Sequence, residues 1–178
     1  MLIPREKVPQ LELNLINGTR WKMDAQDNGA FTMIIFYRGL HCPICKKQLE
    51  ELSQKLNKFI DRDVNVVAIS MNDEKTAQKT AEKWNIPELP LAYGLTKQQA
   101  TDWGLYLSKG ISDKEPEQFS EPGLFLVKPD RTLYAASVQT MPFARPSFGD
   151  ILSMIDYVEK ENYPARGELQ LQAEEQFA

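Results

Sequence analysis

The two cysteines of this chain, Cys42 and Cys45, stand three positions apart in the segment His41-Cys42-Pro43-Ile44-Cys45. A thiol becomes a nucleophile when it loses its proton, and a helix N-terminus favours the thiolate through its unpaired N–H groups and the positive end of its dipole. Pro43 fits the first helical position, where its missing N–H costs nothing, which leaves Cys42 at the cap. Such a position brings a thiol pKa from about 8.5 to roughly 3.5–7.5. Cys45, one turn along and nearer the apolar stripe, suits a resolving role. In that cycle Cys42 attacks a peroxide oxygen or a disulfide, giving a sulfenic acid or mixed disulfide, and Cys45 then closes the Cys42–Cys45 bond. Two small buried core residues are the plain alternative. A closed zinc site wants four ligands, and His41 is the sole histidine.

The elements around this pair read as follows. Phe31 to Tyr37 is a nearly unbroken β-prone run, as a strand covered on both faces requires. Apolar Cys45, Leu49, Leu52, Leu56 and Phe59 or Ile60 recur at spacings of four and three, the mark of an amphipathic helix starting at Cys42-Pro43. Upstream, Leu11 to Ile16, Asn17-Gly18 and Thr19 to Met23 form a hairpin pattern. Downstream, Val64 to Ser70 is a second buried strand, and Asn72 or Asp73 caps a helix running to about Trp84. Thr96 with Gln99 forms a capping box for a short helix through Trp103. Ser108 to Glu121 is polar and Pro-containing and reads as a loop. Gly123–Lys128 and Thr132–Val138 flank the turn Pro129-Asp130-Arg131 as an antiparallel pair. Ser147 caps a last helix with the stripe Phe148, Ile151, Leu152, Ile155 and Val158. Tyr37, Trp84 and Trp103 are read as packing residues.

This order predicts an α/β protein: a thioredoxin-like fold with a mixed central sheet flanked by helices and an N-terminal β-hairpin. Residues 1–163 are expected to form one domain, and 164–178 a polar tail that is mobile or packs on a partner subunit. With 178 residues, 42% of them hydrophobic and 26% charged, the chain suits one core rather than two. The net charge of −4 disfavours nucleic acid and anionic membrane, since an acidic surface releases no counterions from either. No run of about twenty apolar residues appears. Met1 to Gln10 carries Pro4, Arg5, Glu6, Lys7 and Pro9 where a signal peptide needs apolar residues, so a cytoplasmic location is expected.

The segments Phe36-Tyr37-Arg38-Gly39-Leu40-His41-Cys42-Pro43-Ile44-Cys45, Glu121-Pro122-Gly123-Leu124-Phe125 and Phe143-Ala144-Arg145-Pro146 resemble the peroxiredoxin-like proteins of the alkyl hydroperoxide reductase and thiol-specific antioxidant family. The resemblance runs from Leu11 to about Val158. It implies that Cys42 is the peroxidatic or attacking cysteine, that Cys45 is the second cysteine of a dithiol, and that Pro122 follows a cis peptide bond facing them. The chain departs from the Pro-X-X-X-Thr-X-X-Cys pattern of ordinary peroxiredoxins, with Ile35 at the Pro position and Gly39 at the Thr position. Arg38 or Arg145 would stabilise the thiolate and the developing oxyanion, and an imidazolium at His41 would lower the thiol pKa or donate a proton. The expected activity is reduction of hydrogen peroxide or organic hydroperoxides, recycled by an external thiol such as thioredoxin or glutathione. The rivals are a thioredoxin-like disulfide reductase and a non-enzymatic redox sensor. No cofactor or metal is expected, and a homodimer is compatible with the hairpin and tail.

Overall fold

The computed structural model describes residues 1–169. Its frame is a seven-stranded mixed sheet that runs, from one edge to the other, through Arg20–Lys22, Glu12–Leu15, Leu91–Tyr93, Val64–Ile69, Phe31–Phe36, Gly123–Val127 and Leu133–Val138. The hairpin β1 (Glu12–Leu15) and β2 (Arg20–Lys22) turns at Asn17-Gly18, where Gly18 takes φ +81°. This hairpin joins the same sheet through antiparallel pairing with β5 (Leu91–Tyr93), a short strand that its three residues leave invisible to periodicity. At the centre, β3 (Phe31–Phe36) runs parallel to β4 (Val64–Ile69) and antiparallel to β8 (Gly123–Val127), so all six of its residues are buried. The edge is β9 (Leu133–Val138), paired antiparallel with β8 as the Pro129-Asp130 turn predicts.

Because β3 is covered on both faces, its side chains alternate between two cores. Phe31, Met33, Ile35 and Tyr37 face a cluster that includes Leu49 and Leu52 of helix α1 (Pro43–Ile60), Trp84 of α2 (Glu74–Trp84) and Phe148 and Ile155 of α4 (Phe148–Glu161). Ile34 and Phe36 face the other cluster, with Trp21, Ala100 of α3 (Lys97–Asp102), Trp103 and Phe125. The helix starts match the sequence signals. Asp73 caps α2 through Thr76 N, Thr96 and Gln99 form a reciprocal capping box on α3, and Ser147 caps α4 through Asp150 N.

One predicted loop is in part a hairpin. Across Ser108–Glu121, and starting one residue before it, β6 (Leu107–Lys109) pairs with β7 (Gln118–Ser120). Each strand has three residues and only Phe119 among them is a buried aromatic, too little alternation for a sequence signal. At the other end, residues 164–169 of the expected tail run back along the N-terminus. Ala165 is buried, and its carbonyl accepts from Arg5 Nε at 2.9 Å and Nη2 at 2.7 Å. Residues 170–178 of that tail lie outside the described residues. None of the described helices is long and apolar enough to cross a membrane.

Candidate active site

The strand β3 and the helix α1 meet at the dithiol, and a short turn sets the angle between them. After Tyr37 the chain passes Gly39 at φ +126°, a conformation that side chains rarely adopt. An added Cβ there would lie 2.6 Å from Asn72 Oδ1, the same oxygen that accepts Leu40 N at 3.0 Å. The Asn72 amide thus occupies the space that a side chain at position 39 would need. Gly39 O then accepts Cys42 N at 3.1 Å, which delivers Cys42 to the cap of α1 with extended φ −97° and ψ 106°. Pro43 occupies the first turn.

Both cysteines are free thiols. Cys45 N donates to Cys42 Sγ at 3.1 Å, so the sulfur itself is the cap acceptor of the helix. The Cys42 pKa is brought down to about 6, first by the hydrogen bond from the Cys45 thiol, against the cost of burial. The Cys45 N–H, Arg145 and Arg38 add to the lowering. Cys45 moves the opposite way, pushed up by burial and by its hydrogen bond to Cys42. The pair thus shares one negative charge, held on the first sulfur, because two thiolates in contact repel.

Arg145 reaches both sulfurs from the segment between β9 and α4. Its Nη2 lies 3.1 Å from Cys45 Sγ and 3.9 Å from Cys42 Sγ, its Nε donates to Pro142 O at 2.7 Å, and its Nη1 donates to Gln48 Oε1. Sequence reasoning did not single out Gln48; its place three residues beyond Cys45 on one helix face was the available signal. Arg38 points instead to an acidic cluster. It pairs with Glu121 at 3.3 Å and Glu115 at 3.5 Å and stacks over the Phe119 ring at 4.5 Å. Glu121 is 3% exposed and also accepts from Ser108 Oγ at 2.6 Å. Its burial was hidden in the sequence because it depends on the β6–β7 hairpin.

Two expectations are corrected. No cis peptide bond occurs among the described residues, so Glu121–Pro122 is trans. Sheet pairing holds the flanking backbone there: Glu121 N donates to Tyr106 O at 2.8 Å and Pro122 O accepts from Gln139 N at 3.0 Å, and trans is also the lower-energy isomer. His41 is not poised as an imidazolium. Burial and the neighbouring Arg38 charge lower its pKa, and its ring lies 4.7 Å from that of Phe119 with both nitrogens buried and unpaired. Tyr37, beneath the dithiol, is wholly buried, and its hydroxyl pKa is pushed up to about 12 by that burial. No group of three or more His, Cys, Asp or Glu among the described residues is arranged to hold a metal ion.

A thioredoxin-like sheet with a dithiol at the first helix defines a class of thiol proteins, and comparison with known proteins narrows it. The AhpC/TSA family model matches residues 4–136, so this chain belongs to the AhpC/TSA family. It is 26% identical over 140 residues to the mitochondrial thioredoxin-dependent peroxide reductase of Rattus norvegicus, covering 74% of this chain and 51% of that protein. Against the thioredoxin peroxidase of Trypanosoma brucei rhodesiense it is 24% identical over 136 residues, covering 72% and 65%. The chain therefore spans about half to two thirds of the length of these relatives. Among solved structures, the reduced 2-Cys peroxiredoxin of Plasmodium vivax matches with a TM-score of 0.72 at 19% identity, over 92% of this chain and 100% of that one. Peroxidoxin BcpB of Mycobacterium tuberculosis matches with a TM-score of 0.71 at 18% identity, over 89% and 99%. These two likenesses establish the fold.

Proposed function

We propose that this protein is a thiol-dependent peroxidase that reduces hydrogen peroxide or organic hydroperoxides through a Cys42–Cys45 dithiol–disulfide cycle. The observation that carries the reading is geometric: the Cys45 N–H donates to Cys42 Sγ at 3.1 Å and Arg145 Nη2 lies 3.1 Å from Cys45 Sγ and 3.9 Å from Cys42 Sγ, an arrangement that favours a thiolate on Cys42 beside a protonated Cys45. Cys42 thiolate attacks a peroxide oxygen; the S–O bond forms, the O–O bond breaks, and the leaving oxygen takes a proton as water or alcohol. The Arg145 N–H groups stabilise the charge that moves onto oxygen. Cys42 is then a sulfenic acid, and the negative charge that kept Cys45 protonated is gone. Cys45 gives up its proton, its sulfur bonds to that of Cys42, and the expelled hydroxide leaves as water. The dithiol has supplied two electrons, which an external thiol such as thioredoxin or glutathione returns.

Peroxide is favoured over a protein disulfide because Cys42 is only 1% exposed, and a small oxidant reaches a covered sulfur more readily than a folded partner does. In this reading Arg145 touches the reacting atoms, Pro43 shapes the helix start, and Arg38, His41 and Pro122 frame the site. The protein acts as one thioredoxin-like domain whose packed body extends past residue 163 to Ala165, in the cytoplasm. A homodimer is the proposed assembly, supported by the exposed Tyr157 and by the part of the β9 edge beyond Leu133, where the pairing with the N-terminal residues 5–8 ends. Stopped-flow mixing of reduced protein with peroxide tests the activity: consumption far faster than by free cysteine is expected, and a rate equal to free cysteine overturns it. Faster reduction of a protein disulfide than of peroxide would reassign the substrate.

A further inference from the structure

Arg145 lies on an irregular segment, yet its guanidinium is held on three sides. The Nε bond to Pro142 O stays within that segment, and the Nη2 contacts are with the sulfurs themselves. The Nη1 bond to Gln48 Oε1 alone ties the guanidinium to a packed helix away from the reacting atoms. Gln48 follows Cys45 by three residues on α1, so the two side chains share a face of the helix. A guanidinium is a planar fork, and fixing one of its nitrogens fixes where the others point.

We propose that Gln48 is a positioning residue of the dithiol: its side-chain oxygen anchors Arg145 to α1 so that the remaining N–H groups face both sulfurs. The residue type suits the task. A neutral amide accepts the hydrogen bond without cancelling the positive charge, whereas a carboxylate at this place would hold the arginine and offset it. A guanidinium only donates, so the oxygen of the Gln48 amide is the atom that must face it. The other groups that bear on the sulfurs are the buried Tyr37 hydroxyl at the end of β3 and Arg38, which its two carboxylates hold. Of the two cations, Arg145 is the one whose aim depends on a neutral partner.

The consequence for turnover rests on the peroxidase reading, but the positioning does not, and the test separates them. The ultraviolet absorbance of the thiolate, followed against pH in the reduced full-length protein, reports Cys42 ionisation without any peroxide. Gln48→Leu is expected to weaken that ionisation about threefold to tenfold, a rise in midpoint of up to about one pH unit. Arg145→Leu should raise it at least as far, and Gln48→Leu should add nothing in the Arg145→Leu background, because neighbours acting through one group are non-additive. An unchanged titration in Gln48→Leu, or an equal shift in both backgrounds, overturns the proposal. Gln48→Met is the companion variant should Gln48→Leu fail to fold: it keeps the length of the side chain without a strong acceptor or a charge, so a raised midpoint that disappears in the Arg145→Leu background is expected, and an unchanged midpoint overturns the anchor. If wild-type protein leaves peroxide intact while the non-additivity holds, the peroxidase reading fails and Gln48 keeps its role.

Discussion

At the scale of single residues the chemistry is governed by which of two adjacent sulfurs holds the charge. Cys42 has a lowered pKa of about 6, so it is protonated below that pH and predominantly thiolate at neutrality. Peroxide consumption is therefore expected to climb as pH rises through about 6 and then to level off, a profile that stopped-flow measurement across pH reads directly. Cys45→Ala removes the main stabilising hydrogen bond as well as the resolving sulfur. Two outcomes follow together: the rise moves to higher pH, and one peroxide equivalent leaves a sulfenic acid on Cys42 that mass spectrometry detects. An unmodified Cys42 in that variant would refute the assignment of the attacking residue. Arg145→Leu, which strips a cation from both sulfurs, should lower the rate at pH 7 by about tenfold or more.

At the scale of elements, the first turn of α1 and the turn that precedes it do two jobs at once. The Cys42 sulfur caps the helix by accepting Cys45 N, so its loss is structural as well as chemical. Serine keeps a cap acceptor and alanine does not, and the Cys42→Ala protein should be about 1 kcal/mol less stable than Cys42→Ser in urea unfolding, although both are inactive. Gly39 is constrained from two sides, by its φ of +126° and by the Asn72 amide. Gly39→Ala should cost about 1–3 kcal/mol and lower the melting temperature, and it should weaken Cys42 ionisation because the cap geometry is passed along the turn. The β6–β7 hairpin serves the site from the side by presenting Phe119, with Glu121 just beyond it, to Arg38.

At the scale of the whole molecule, β3 is the common wall of two cores, and the site sits where that wall ends. Phe125 packs edge-on against Phe36 and Trp103, with ring centroids 5.6 and 5.2 Å away, on the face opposite α1. Phe125→Ala should destabilise the protein by about 3–5 kcal/mol in chemical denaturation while leaving the first thiol's titration near wild type, since the cavity opens away from the dithiol.

Much of this was legible in the order of residues because the signals were local. A cysteine before proline at the start of a four-and-three apolar stripe specifies a capped thiol whatever the rest of the chain does. An unbroken β-prone run specifies a central strand, and Ser147, Asp73 and Thr96 announce their helices through bonds made within three residues. Arg145 was suggested by family resemblance and not by any local pattern. What only the tertiary structure decided are contacts between segments far apart in the chain. The meeting of Arg145 with Gln48 and both sulfurs, the burial of Glu121 against Arg38, the neutral setting of His41 beside Phe119 and the trans geometry before Pro122 all depend on how the β6–β7 hairpin and the β9–α4 segment close over the end of β3. Local hydrogen bonding dictates where a helix begins, but it carries no information about which distant side chain will lie across its first turn.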